Sequence, residues 1–171
     1  MIASLNNLVN PYLVHVPIVF TTPGSIVAML LVVYFAKFLQ VVLSIVLTAK
    51  YDNVQSSHRA ASSEGKDGKK LGFGAKAAQR AWNAHQNSWE AFAVFSAAVL
   101  LALQTVGDSK ELNILANAFV FVRIAYNFVY ILAFNDVLAA FRSVTFFVGF
   151  GFVLQIFALA VGDKWANLSA L

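Results

Sequence analysis

Apolar residues fill four long stretches of the chain, and the polar positions that interrupt them recur at helical spacing. A helix that crosses the hydrocarbon core needs about 20 such residues. The first stretch, about 23–49, opens at Thr22 and Pro23, a cap followed by a first helical residue, and closes at Lys50. The second, 80–104, runs from Arg80 to Gln104. The third, 109–134, follows Asp108, which with Glu111 resembles a capping box in which Asp replaces Ser or Thr. The fourth, 137–161, is followed by Gly162, a helix stop. One long polar segment, 51–77, separates the first two stretches; it is rich in Ser, Gly and Lys and reads as a solvated loop. The remaining connections are a few residues long, so neighbouring helices should run antiparallel. The pattern predicts an all-α integral membrane protein, one domain over 1–171, folded as an up-down four-helix bundle.

Composition agrees. Of the 171 residues 60% are hydrophobic and 12% charged, with a mean hydropathy of +0.72; soluble domains are about a quarter charged. The absence of cysteine excludes disulfides, thiolate zinc sites and a cysteine nucleophile. His15, His58 and His85 do not cluster at ligand spacing, so no metal site is expected.

The charge is uneven. Seven of the twelve basic residues lie between 50 and 80: Lys50, Arg59, Lys66, Lys69, Lys70, Lys76 and Arg80. No nucleic-acid recognition motif accompanies them. Beside a membrane helix such a cluster reports topology: the basic loop stays in the cytoplasm and both termini face the other side. Residues 1–22 carry no Lys or Arg. Without a basic n-region they do not read as a secretory signal; a short helix or re-entrant piece on the far surface is expected there.

Several groups that lipid rejects lie inside the spans. Lys37 and Gln40 are in the first, Glu90 in the second and Arg123 in the third. A charge at the centre of a membrane helix costs roughly 2.5 to 3.5 kcal/mol, so these should face the bundle interior or a wet cleft. At 100° per residue Arg80, Asn83, Asn87 and Glu90 fall within an arc of about 80°, with Trp82 and Trp89 on the opposite side, toward lipid or headgroups. Arg123, Tyr126, Asn127 and Tyr130 share one stripe of the third span. Measured from the basic-loop side at about 1.5 Å per residue, Glu90, Arg123 and Lys37 sit at roughly 15 to 20 Å, beneath Asn87, Asn83, Tyr130, Arg142 and Ser143.

These positions imply a polar cleft open toward the basic loop, with an ion cluster of Lys37, Glu90 and Arg123 at its floor. Glu90 and Arg123 form the expected pair, since a buried carboxylate stays ionised only where cations meet it. For these three residues a device that only locks helices together is the favoured reading. The shallower groups, Arg80, Asn83, Asn87, Tyr126, Tyr130, Arg142 and Ser143, fit ligand contact better. Arginine forks suit carboxylates, and Glu90 can receive an amine. A small ligand bearing carboxylates and an ammonium fits this inventory, and an apolar partner can reach it from the bilayer.

The segment RAWNAHQNSWEAF (80–92), with the later VRIAYNFVY and AFRSVTF, resembles the signature of the MAPEG family, membrane-associated proteins in eicosanoid and glutathione metabolism. The second-span pattern, an Arg followed by Asn-x-x-Glu, is met by Arg80 and by Asn87 with Glu90. The third-span pattern is met by Arg123, Tyr126 and Tyr130, and the lysine midway along the first span by Lys37. The resemblance implies a homotrimer of four-helix bundles. Glutathione, as cosubstrate, would lie between adjacent subunits in the cytoplasm-facing half. The activity implied is a microsomal glutathione transferase or peroxidase, acting on a lipophilic electrophile or lipid hydroperoxide. The membrane would be the endoplasmic reticulum or another internal membrane in a eukaryote, or the inner membrane in a bacterium.

The same resemblance gives Arg142 the catalytic role, stabilising the thiolate of the cosubstrate by its charge. Three departures stand out. Asn83 occupies a place held by a carboxylate-binding arginine in many members, Tyr130 and Arg142 are further apart than usual, and Phe146 replaces a hydroxyl found in prostaglandin synthases. A non-catalytic lipid-binding or scaffold protein of the same fold is therefore the alternative. A channel is disfavoured, because a one-sided cleft offers no through-path.

Overall fold

Each apolar stretch is a helix. The computed structural model describes residues 17–48 and 73–168, with side chains over 17–46 and 74–162. The helices are α1 (Thr22–Thr48), α2 (Phe73–Thr105), α3 (Lys110–Leu132) and α4 (Asp136–Leu168). All four are long and apolar enough to cross a bilayer, and the chain is an integral, multi-pass membrane protein. α1 packs chiefly on α2 and α3 on α4, while α2 touches all three of the others. α3 is the most enclosed of the four.

Small residues line the α1–α2 seam. Ala28 and Ala36 on α1, with Ala81 and Ala84 on α2, are buried and let the two backbones approach closely, which is how helices associate where lipid offers no hydrophobic drive. Larger side chains fill the far half of the bundle. Phe95 of α2 stacks on Phe119 of α3 with ring centres 4.3 Å apart. Met29, Val33, Leu112, Val120 and Ile156 close around them.

The helix ends differ in detail from the expected ones. Thr21, not Thr22, caps α1: its hydroxyl accepts from the Gly24 amide at 3.2 Å and its carbonyl from Ser25. The Thr22 hydroxyl is thereby free to donate to the Asp108 carboxylate. Asp108 is correspondingly not the α3 cap; Ser109 is, accepting from the Leu112 amide. α2 begins at Phe73, so the polar segment expected at 51–77 gives way to helix over its last five positions, where Ala and Lys favour it. Residues 51–72 of that segment lie outside the described residues. α3 stops at Leu132, two residues before the expected end, because Ala133 leaves helical geometry.

Gly162 adopts φ 47° and ψ −141° and ends the regular run of α4, a conformation glycine reaches without a side-chain penalty. Of the N-terminal piece expected at 1–22, residues 1–16 lie outside the described residues and 17–21 run as a non-helical strap. Asn117, fully buried on α3, holds that strap: its carbonyl oxygen accepts from the amides of Val19 and Phe20, and its amide donates to the Phe20 carbonyl.

Candidate functional site

The up-down topology brings the C-terminal ends of α1 and α3 and the N-terminal ends of α2 and α4 to one end of the bundle. Polar side chains from α2, α3 and α4 meet there. Arg123 is the largest fully buried side chain among the described residues, 2% exposed. Its Nη2 donates to the Asn87 carbonyl at 2.8 Å and to Asn87 Oδ1 at 2.9 Å. Its guanidinium lies over the Tyr126 ring at 4.4 Å, while its Nε is buried and finds no partner among the described residues. Two charge-assisted bonds and an aromatic face thus hold a cation that lipid would reject.

From Arg123 the chain of contacts climbs toward the bundle end. Tyr126 meets Tyr130 edge to face at 5.5 Å, and the Arg142 guanidinium lies 4.7 Å from the centre of the Tyr130 ring. Phe146, one turn further into α4, flanks Tyr126 at 6.4 Å. The alternation of guanidinium and phenol has a geometric cause. Arg123, Tyr126 and Tyr130 follow at three and four residues on α3, and Arg142 and Phe146 follow at four on the facing side of α4. Gly149, buried one turn beyond Phe146, faces Val122, Arg123 and Phe119 of α3.

The α2 stripe divides. Asn87 turns inward to Arg123, whereas Asn83 and Glu90 are exposed on the single chain. Glu90 acts on Arg123 electrostatically but forms no direct ion pair with it; Asn87 occupies that place. In place of the expected ion cluster stands an arginine–carboxamide contact with Glu90 at its edge. Arg80 points its Nε at the Ile131 carbonyl, 2.8 Å away. Ser143 is exposed and donates to the Ala139 carbonyl of its own helix at 3.3 Å.

Lys37 does not join the expected cluster. Its ammonium lies 4.3 Å from the centre of the Trp82 ring, on the α1–α2 seam and apart from Arg123. Trp82 and Trp89 accordingly face α1 rather than lipid alone: Trp89 meets Tyr34 at 5.8 Å. His85 sits between the two indoles, with Nδ1 2.9 Å from the Val33 carbonyl. The shift follows from the wheel. The buried face of α2 is centred on Ala81, Ala84 and Ser88, so Arg80 and Asn87 lie at one margin of it and the indoles at the other.

A second polar knot has no counterpart among the sequence expectations. Ser88 donates to Asn127 Oδ1 at 2.9 Å, and the Asn127 amide reaches the Val32 carbonyl at 3.4 Å, tying α1, α2 and α3 together beside Asn87 and Tyr126. Asn127 stands on the Arg123 stripe, which was a visible signal; Ser88, beside Asn87, carried none.

Compared with protein-family models, residues 26–162 match the one described as MAPEG family. Searches of curated proteins and of solved structures gave no match. The matched range covers α1 from Ile26 on, the whole of α2 and α3, α4 as far as Gly162, and every residue of the site.

Proposed function

The chain belongs to the MAPEG family, and from that premise we propose that it is a membrane-bound, glutathione-dependent transferase or peroxidase acting on a lipophilic electrophile or a lipid hydroperoxide. The observation that carries the reading is Arg142 standing over Tyr130, which meets Tyr126 and through it Arg123, at one end of the bundle. The polar groups there suit glutathione: a half-buried guanidinium, two phenols and the Asn87 carboxamide suit carboxylate, amide and thiolate, while exposed Glu90 can accept from an ammonium and Asn83 can pair with a second amide. Ser143 lies beside Arg142 and can exchange its intrahelical bond for a ligand. When bound, glutathione supplies a thiol whose sulfur forms the new bond to an electrophilic carbon as the leaving group departs with its electron pair, or, as two molecules, reduces a hydroperoxide to alcohol and water with formation of the disulfide.

The protein's part is electrostatic. Arg142 places a fixed positive charge where the thiol ionises and so favours the thiolate at neutral pH. Tyr130 holds that guanidinium through its ring face and leaves its N–H groups free to donate. Arg123 and Asn87 form the rigid floor. The phenyl rings of Phe146 and Phe147 give an apolar second substrate a path from the bilayer. We further propose a homotrimer, in an internal membrane of a eukaryote or the inner membrane of a bacterium, with the site opening toward the cytoplasm. Glu90 and Asn83, exposed within a span of the single chain, would there be covered by a neighbouring copy or by the ligand rather than by lipid.

The alternative, a non-catalytic lipid-binding or scaffold protein of this fold, draws on Asn83. It is exposed and uncharged where many members carry arginine, and the Nε of nearby Arg80 is already engaged. Calorimetric titration of the detergent-purified protein with glutathione, followed by conjugation of a chloronitrobenzene, separates the readings. Binding with turnover is expected. Binding without turnover supports the scaffold, and a failure to bind removes the cosubstrate and the enzyme together.

A further inference from the structure

Arg80 was expected to meet a carboxylate of the ligand, yet its Nε donates to the backbone carbonyl of Ile131, 51 positions away. Ile131 is the penultimate residue of α3. Its carbonyl is one of the four that a helix end leaves without an intrahelical partner, at the negative pole of the helix. The chain then turns through a short corner. The Ala133 amide bonds back to Tyr130, the Phe134 amide to Leu132, and Asn135 Oδ1 accepts from the Leu138 amide to start α4. Ile131 follows Tyr130 directly, and Arg142 lies over the Tyr130 ring. Phe134, Asn135, Asp136, Val137, Ala140 and Phe141 are all exposed, so packing holds this end of α4 only weakly and a tether to α2 has a large share in fixing it.

We propose that Arg80 is a positioning residue: by holding the Ile131 carbonyl it fixes the α3–α4 corner and with it the place at which Arg142 stands. The proposal rests on the reading of Arg142 as the thiolate-stabilising residue. It separates two roles for cations at one bundle end, Arg80 acting on the backbone and Arg142 on the reacting sulfur.

The test uses the full-length protein in detergent, as wild type, Arg80→Met and Arg80→Lys, with three readouts. These are amide hydrogen exchange over 131–139, calorimetric affinity for glutathione, and ultraviolet titration of the bound thiol. In Arg80→Met the corner should exchange faster by about tenfold, the worth of one hydrogen bond to a charged group. The midpoint of thiol ionisation should move up toward that of Arg142→Ala, while affinity measured below both midpoints, where the bound thiol is protonated, stays within about twofold, since no ligand contact is lost. Arg80→Lys keeps a charged donor and should restore most of the protection and most of the midpoint. Should Arg80→Met fail to fold, Arg80→Gln, which retains a neutral donor, carries the same comparison with smaller shifts.

Unchanged corner exchange in Arg80→Met would overturn the proposal. So would a tenfold loss of affinity with the thiol midpoint unmoved, which would make Arg80 a ligand contact after all. If wild type does not bind glutathione, the proposed function fails and takes the Arg142 half with it. The exchange measurement would still decide whether Arg80 holds the corner.

Discussion

Arg123 shows how a membrane helix tolerates a buried cation. Its guanidinium is met by a carboxamide, a backbone carbonyl and a phenol ring rather than by a carboxylate. This arrangement leaves Glu90 at the edge of the site and makes Asn87, not Glu90, the more sensitive position. Asn87→Ala removes an acceptor from a buried charge and should lower stability in detergent by about 1–3 kcal/mol. Glu90→Gln removes a charge that is exposed and not directly paired, so its thermal midpoint should move less. Thermal unfolding of both variants followed by circular dichroism checks that ranking. Arg142 is half-buried and tied to the bundle through one ring face. Arg142→Ala should therefore cut kcat for conjugation by about a hundredfold or more, as loss of one charge-stabilising donor does elsewhere, with little change in the unfolding midpoint. An enzyme that kept its rate without that guanidinium would refute the catalytic assignment.

At the scale of elements, the helix ends and the strap carry stability that the apolar spans cannot. Ser109→Ala should cost about 1 kcal/mol through loss of the α3 cap, whereas Asp108→Asn should leave α3 intact and loosen its contact with Thr22. Asn117 bonds to both Val19 and Phe20. Asn117→Ala should release 17–21, visible as faster amide exchange at those positions while α3 itself stays protected. Such a result would locate the asparagine's contribution in the strap; uniform loss of protection would put it in the core. α2, at 33 residues, spans about 50 Å and exceeds a hydrocarbon core of about 30 Å. A helix of that length tilts within the core or extends beyond it.

At the scale of the whole molecule, exposed side chains such as Leu31, Phe38, Val46, Phe147 and Phe150 give the bundle an apolar exterior suited to lipid or to further copies of the chain. The native sequence lacks cysteine, so single introduced thiols report topology without background. Phe134→Cys and Val106→Cys lie at opposite ends of α3. An impermeant maleimide applied to sealed vesicles should label one and not the other, with Phe134→Cys on the cytoplasmic side if the basic segment sets orientation. The mass of the protein in detergent, measured by light scattering, should correspond to three chains; a single-chain mass would leave Glu90 and Asn83 facing detergent and would count against a site shared between copies.

Much of this was legible in the linear pattern. Four apolar runs of membrane length, short turns and antiparallel order follow from residue type and spacing, because lipid demands that every backbone group be paired within its own helix. The residues that populate the site were visible for the same reason, as polar groups too costly to leave in hydrocarbon. Their partners were not. Periodicity gives each side chain an angle on its own helix, but a contact depends on the rotation and separation of two helices, set by packing along seams such as Ala81 and Ala84 against α1. An 80° arc on α2 straddled the margin of the buried face. That margin turned Asn87 inward and Glu90 outward, gave Lys37 to Trp82, and sent Arg80 to a carbonyl at the end of α3.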